Sequence, residues 1–234
     1  VRLCPSCGSP YVGGFKAGTQ QIEALVKQKF PKARVLRMDM DTTRTKDGHE
    51  KILEAFASEE ADILIGTQMI VKGHDFPNVT LVGILAADMS LYSSDYRAAE
   101  RTFQLLTQAA GRAGRGKSKG EVVIQTYSPE HYSIERAAAQ DYEGFFEAEM
   151  EYRGLMGYPP VEQLLAVLMT GPEENMLERA ARYLRDFVVR VDKKGSLLII
   201  GPASPYVAKV SDVYRRVLYL KGRDYRLLIE VKNR

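Results

Sequence analysis

Three residues near the middle of the chain have the types and spacing of a polyphosphate clamp. Gln108, Arg112 and Arg115, within QLLTQAAGRAGR (104–115), stand at i, i+4 and i+7. At about 100° per helical residue they project within roughly a 60° arc of one face. Two guanidiniums on one face, always charged and fork-shaped, suit phosphate oxygens, and a carboxamide beside them can orient an oxygen or a water. Gly111 and Gly114 lie in the same run. Glycine costs about 1 kcal/mol in a helix interior, so the pair implies a close approach of this helix end to a ligand or another domain. The alternative is a C-terminal helix turn whose cations complement the helix dipole. The full Gln-x-x-Gly-Arg-x-Gly-Arg spacing is far more specific than a run of charge.

A second group follows the apolar run DILI directly: Gly66-Thr67-Gln68, then Lys72-Gly73-His74-Asp75-Phe76-Pro77. Loops at the carboxyl ends of parallel strands are where α/β sheets hold ligands. A Gly-Thr pair there offers backbone N–H groups and a hydroxyl to phosphate or ribose. Lys72 is a compact charge for a phosphate, and Asp75 can accept from ribose hydroxyls. Asp75 taken alone reads as a turn residue ahead of a proline, and His74 as an ordinary loop residue.

These groups need elements to hold them. Ile22, Leu25, Val26 and Phe30 recur at helical spacing after Thr19, and Pro31 ends that helix. Arg34–Met38 reads as a strand, 47–58 as a helix, and Asp62–Ile65 and Val79–Leu85 as strands. A long helix runs from about Tyr96 to Arg112 or beyond, followed by a strand at Glu121–Thr126. All-apolar strands alternating with helices predict a parallel sheet covered on both faces. A helical segment then reaches Met156. Gly157-Tyr158-Pro159-Pro160 breaks it, because a residue before proline is pushed out of the helical region. The remainder reads strand (163–170), helix (173–191), strand (197–200), strand (213–220) and helix (223–231), a split βαβ arrangement without a last strand. The expected organisation is 1–14, 15–157 and 158–234.

Composition sets limits. Lys and Arg number 33 against 30 Asp and Glu, a net charge of +3, and 45% of residues are hydrophobic. This is the balance of a globular chain. The longest charge-free apolar stretch, Phe76–Ala87, is too short to cross a bilayer. No apolar run follows a charge at the start, so no signal peptide is expected and a cytoplasmic location is. The absent initiator Met predicts a fragment. Residues 201–234 hold eight Lys and Arg against three Asp and Glu, either a solvated surface or a patch that meets phosphates. Cys4 and Cys7 are the two cysteines, in Cys-Pro-Ser-Cys-Gly. They form at best half of a four-ligand zinc site; a redox pair and a fortuitous pairing are the other readings. His49 and His131 carry no ligand spacing. Asp39 and Asp41 read as caps of the next segment, or as residues bordering a nucleic acid.

The Gly-Thr-Gln and Gly-Arg-x-Gly-Arg runs resemble two motifs of superfamily 2 nucleic-acid helicases, in the right order and at the right separation. Residues 62–115 resemble more closely the family of primosomal protein N′ (PriA), the bacterial replication-restart helicases. CPSCGS running into GGFKAGTQQIEALVKQKFP, RMDMDTT and MGYPP resemble further stretches of it. The resemblance implies a RecA-like helicase lobe 2 at 15–157, after the remnant of a cysteine-rich zinc element at 1–14. A smaller α+β ferredoxin-like DNA-binding domain would follow at 158–234. It implies that Arg112 and Arg115 reach an ATP γ-phosphate held on another lobe, with Gln108 sensing it. Thr67, Gly73 and Asp75 would lie toward the nucleotide, and Thr67, Gln68 and Lys72 toward DNA. Cys4 and Cys7 would ligate Zn²⁺ within a two-zinc element. The implied activity is ATP- and Mg²⁺-dependent 3′–5′ unwinding at stalled or branched forks. The implied partners are branched and single-stranded DNA, single-stranded-DNA-binding protein, and primosome and helicase-loading proteins. No Gly-x-x-x-x-Gly-Lys-Ser/Thr loop and no Asp-Glu-x-His box occurs in the sequence, so the chain alone is expected not to hydrolyse ATP. A binding module without catalysis and lobe 2 of another superfamily 2 helicase are the alternatives.

Overall fold

A computed structural model describes residues 18–43, 48–67, 70, 76–93, 95–114 and 119–233. The chain divides into two compact units, Val1–Leu91 with Arg101–Gln140 and Tyr92–Glu100 with Asp141–Arg234. The break at Gly157–Pro160, expected to part the domains, lies inside the second unit. The preceding helix belongs to that unit because its Arg153 is tied to Glu100 and to the carbonyl of Pro159.

The first unit alternates helix and parallel strand: α1 (Thr19–Lys29), β1 (Val35–Met38), α2 (Gly48–Ala57), β2 (Ile63–Gly66), β3 (Leu81–Ile84), most of α3 (Ala98–Ala110), β4 (Glu121–Ile124) and α4 (Tyr132–Ala138). The order of α1 to β4 is the one that the periodicity predicts. β1 pairs in parallel with β2, Met38 opposite Gly66, and β3 pairs in parallel with β4, Ile84 opposite Ile124. Met38 and Leu53 are fully enclosed and pack with Phe76 against Ile52, Phe56, Leu64, Ile70 and Val79. Phe56 meets Phe76 edge to face, centroids 5.1 Å apart, a favoured geometry for aromatic pairs.

The helical segment expected between 130 and 156 is two helices, α4 and α5 (Tyr142–Met156). Gln140 takes φ 56°, and the Asp141 carboxylate accepts the Gly144 N–H at 2.9 Å. The second helix thus gains its own N-cap. In the second unit β5 (Gln163–Gly171) and β6 (Leu198–Ala203) flank β8 (Val213–Gly222), all antiparallel, with α6 (Glu174–Val191) crossing between β5 and β6. This is the split βαβ, ferredoxin-like order. The helices α6 and α7 (Tyr225–Asn233) bury Val188, Leu228 and Val231 against Leu218, Leu220 and Leu197. Sequence reading missed a short strand β7 (Lys209–Val210), paired to β8. Ser211 and Asp212, between them, have φ of 47° and 62°, the two positive angles a tight primed hairpin turn needs. Beyond the expected end of β6, Pro202 offers no N–H, and the pairing shifts register between Ile200 and Ala203.

Candidate functional site

The helix α3 presents Gln108. Thr102, Phe103, Leu106 and Ala109 are buried along one stripe, which leaves Gln104 and Gln108 exposed on the other. The helix stops at Ala110, short of the expected Arg112. Beyond it the backbone tightens: the Arg112 N–H reaches Ala109 O at 3.1 Å and the Ala113 N–H reaches Ala110 O at 3.2 Å. These i→i−3 bonds turn the chain faster than 100° per residue, so the single-face arrangement of Gln108 and Arg112 on a continuous helix is not what forms. Arg112 stands on the turn itself, half-buried, with its Nε shielded from solvent. Arg115 lies outside the described residues.

The second glycine of the run has a local cause. Gly114 takes φ +74°, and a Cβ there would stand 2.6 Å from the backbone N of Gly120. Only glycine enters that conformation without penalty, and it lets the chain fold back on itself toward β4. The close approach seen at Gly114 is to the chain's own backbone, whereas the sequence predicts one to a ligand or another domain. From the same turn the Gly114 N–H donates to Val79 O at 3.0 Å. Val79 follows the buried Phe76 at the return of the loop that leaves β2. The structure therefore ties the turn that carries Arg112 to Val79, two residues beyond the Phe76-Pro77 end of the second group.

At the other end of that loop, Gly66 is pressed onto β1. A Cβ would meet Met38 O at 2.5 Å, so a side chain is excluded where β1 and β2 end together. Thr67 follows, exposed, at the carboxyl end of the strand as expected. Gln68, Lys72, Gly73, His74 and Asp75 lie outside the described residues, as do Cys4 and Cys7.

Beside Thr67, at the end of β1, Asp39 organises a turn. Its Oδ2 accepts from Thr19 Oγ1 at 2.5 Å and from Arg37 Nη1 at 2.6 Å; its Oδ1 accepts the N–H groups of Asp41 and Thr42, each at 3.0 Å. Arg37 is shared with Glu23 at 3.0 Å. The Thr19 hydroxyl first, then the Thr42 amide and the Arg37 charge, hold this carboxyl at about 2. Asp39 is a cap, the first of the two readings of that residue.

Four of the eight basic residues of 201–234 have partners within the fold. The Arg216 guanidinium bonds Glu178 at 2.9 Å and Glu174 at 2.8 Å, Lys209 pairs with Asp212 at 2.9 Å, and Arg223 lies 3.5 Å from Glu162. Lys221 donates to Met156 O at 2.8 Å and is buried. Half of the eight cations thus serve the fold rather than an open phosphate-binding face.

Sequence reading missed Asp88. It is 2% exposed, in the 3₁₀ turn (Ala87–Tyr92) just past β3. It accepts the Tyr127 N–H at 3.4 Å, while Ser90 Oγ and Thr102 Oγ1 lie 2.7 Å apart. A carboxylate closing the apolar run Leu81–Ala87 was the available signal. His131, without apparent role in the sequence, caps α4 by accepting the Ser133 N–H.

The profile of the helicase conserved C-terminal domain matches residues 14–117, the span holding Thr67, Gln108 and the Arg112 turn. The "Replication restart protein PriA" of Bacillus subtilis (strain 168) is 46% identical over 223 residues, 95% of this chain and 28% of that protein. Its namesake in Synechocystis sp. is 41% identical over 220 residues, 94% of this chain and 26% of that protein. The Chlamydia muridarum protein of that name is 41% identical over 226 residues, 96% and 30%. The chain belongs to the PriA family. It spans about a quarter to a third of the length of these PriA proteins. At 220 residues or more of 234, the likeness to PriA proteins takes in most of both units. No helix among the described residues is long and apolar enough to cross a membrane.

Proposed function

We propose that this chain provides the second motor lobe and a C-terminal module of an ATP-dependent 3′–5′ DNA helicase that restarts replication at stalled or branched forks. The observation that carries the reading is the Arg112 turn. An arginine stands at the end of a helix whose exposed face presents Gln108, on a glycine-shaped turn bonded to the return of a strand-end loop. A guanidinium and a carboxamide are donors suited to phosphate oxygens. The sequence contains no loop that would cradle the phosphates, so these donors act on a nucleotide held by another lobe.

In this reading Arg112, with Arg115, neutralises charge that develops on the γ-phosphoryl, and Gln108 orients its oxygens. Bound ATP and Mg²⁺ supply the phosphoryl chemistry. Thr67, with Gln68 and Lys72, meets the single-strand backbone, and Gly73 and Asp75 relay between strand and nucleotide. Backbone contacts suit a motor without sequence preference. Cys4 and Cys7 contribute two thiolates to a zinc element. The partners are branched and single-stranded DNA, single-stranded-DNA-binding protein and helicase-loading proteins. The setting is the cytoplasm.

Steady-state ATPase measurement on the full-length protein tests this. Arg112→Ala is expected to cut DNA-stimulated kcat by about 10³-fold, the scale of an aligned arginine finger. ATP binding should change far less. Unaltered turnover would discard the role.

A further inference from the structure

Arg153 is a buried cation that the proposed function leaves unused. It lies on α5 and is 8% exposed. Its Nε donates to Glu149 at 2.7 Å, its Nη1 to Pro159 O at 2.9 Å and its Nη2 to Glu100 at 2.7 Å. Two of these partners are neighbours in sequence, one turn before it and just beyond the helix end. Glu100 is 53 residues away, in the first turn of α3. Burying an ion network is costly, and replacement by apolar residues is often neutral or better. Such a network therefore calls for a role other than stability.

Its surroundings brace the same segment. Tyr96, just ahead of α3, stacks on Tyr158 with centroids 5.3 Å apart and planes 18° apart. Arg153 lies over the Tyr96 ring at 5.3 Å, and Lys221 Nζ over the Tyr158 ring at 3.7 Å. Residues 96–100 are thus gripped on a charge and on an aromatic face. The helix that starts there is continuous to Ala110, displays Gln108 and leads into the Arg112 turn. From Glu100 to Gln108 is about 12 Å of helix at 1.5 Å per residue.

We infer that Glu100 and Arg153 are positioning residues: their ion pair fixes the start of α3 and, through that helix, the register of Gln108 and Arg112 against the nucleotide. The inference rests on the phosphate-directed role of Arg112. A misplacement of about 1 Å at a reacting centre can cost on the order of 10²-fold in rate, so a helix loosened at its origin slows the chemical step while leaving ground-state binding in place.

Glu100→Gln is the test, in the full-length protein. Arg153 keeps Glu149 and the Pro159 carbonyl, and the Glu100 side chain is 36% exposed, so no buried charge is stranded as it would be in Arg153→Ala. The measurements are kcat and KM for ATP with saturating single-stranded DNA, DNA affinity, and the melting midpoint, with Arg112→Ala run in parallel. The expected result is kcat down tenfold or more, with KM, DNA affinity and midpoint within about twofold or a few degrees of the parent. Arg153→Lys, which keeps the charge but loses the fork, should show the same split. If Glu100→Gln turns over normally while Arg112→Ala is inactive, the positioning role is refuted. If Glu100→Gln is slow while Arg112→Ala is fully active, the loss does not run through the far end of α3, and the inference falls likewise. If neither substitution affects turnover, the phosphate-directed reading beneath it fails too.

Discussion

Asp39→Asn isolates one charge in a turn that the strand end depends on. The carboxylate accepts from Thr19, Arg37, Asp41 and Thr42, and these donors hold it at about 2 against an ordinary 3.8. A carboxyl depressed in the folded state adds stability above its unfolded value and loses it as pH falls toward the folded one. For this shift the linkage is worth about 2 kcal/mol at pH 5 and above, ~1 kcal/mol at pH 3 and under ~0.5 kcal/mol at pH 2. An asparagine can keep its oxygen toward the Asp41 and Thr42 amides, but its NH₂ then meets the Arg37 guanidinium, donor against donor. Urea unfolding of parent and variant at pH 7, 5, 3 and 2 reads the difference directly. The gap should be about 2 kcal/mol at neutrality and close progressively below pH 4. A gap that stays constant across the range would mean that the Asp39 charge is not what the turn relies on.

Other substitutions probe the frame of the site. Gly114→Ala places a side chain at φ +74° and 2.6 Å from Gly120 N; left-handed backbone alone costs about 1–2 kcal/mol, so denaturant titration should show a loss of at least about 2 kcal/mol. Leu218→Ala empties a site of 0% exposure in the central strand of the second unit and should cost about 2–5 kcal/mol by the same titration. Leu218 belongs to the second-unit core, so the loss should appear in that unit's transition.

The alternation of the first unit was legible because its strands are short and mainly apolar and its helices amphipathic, so the order from α1 to β4 follows from the pattern. The end of α3 was not legible. Gln108, Arg112 and Arg115 fit a helical template whether or not the helix continues, and the departure shows only in the i→i−3 bonds of Arg112 and Ala113 and in the left-handed Gly114 that faces Gly120, six residues on. Gln140 and Asp141 were hidden differently: helical pattern resumes on both sides, and only the positive φ and the cap to Gly144 part α4 from α5. Arg153 carries no signal in the sequence, since its telling partner, Glu100, is 53 residues away and is brought to it only by tertiary structure. The basic excess after residue 201 is only partly legible for the same reason. Charge counted along a chain takes no account of Glu174 and Glu178, which arrive from α6 to satisfy Arg216.

Lys221 sits with its ammonium above the Tyr158 ring and one N–H donated to Met156 O, 5% exposed. An amine so enclosed is out of reach of acylating reagents that label the outer lysines within minutes. Its reaction would report opening of the second unit itself, so the protein carries an internal clock for that event, readable by mass spectrometry without any added probe.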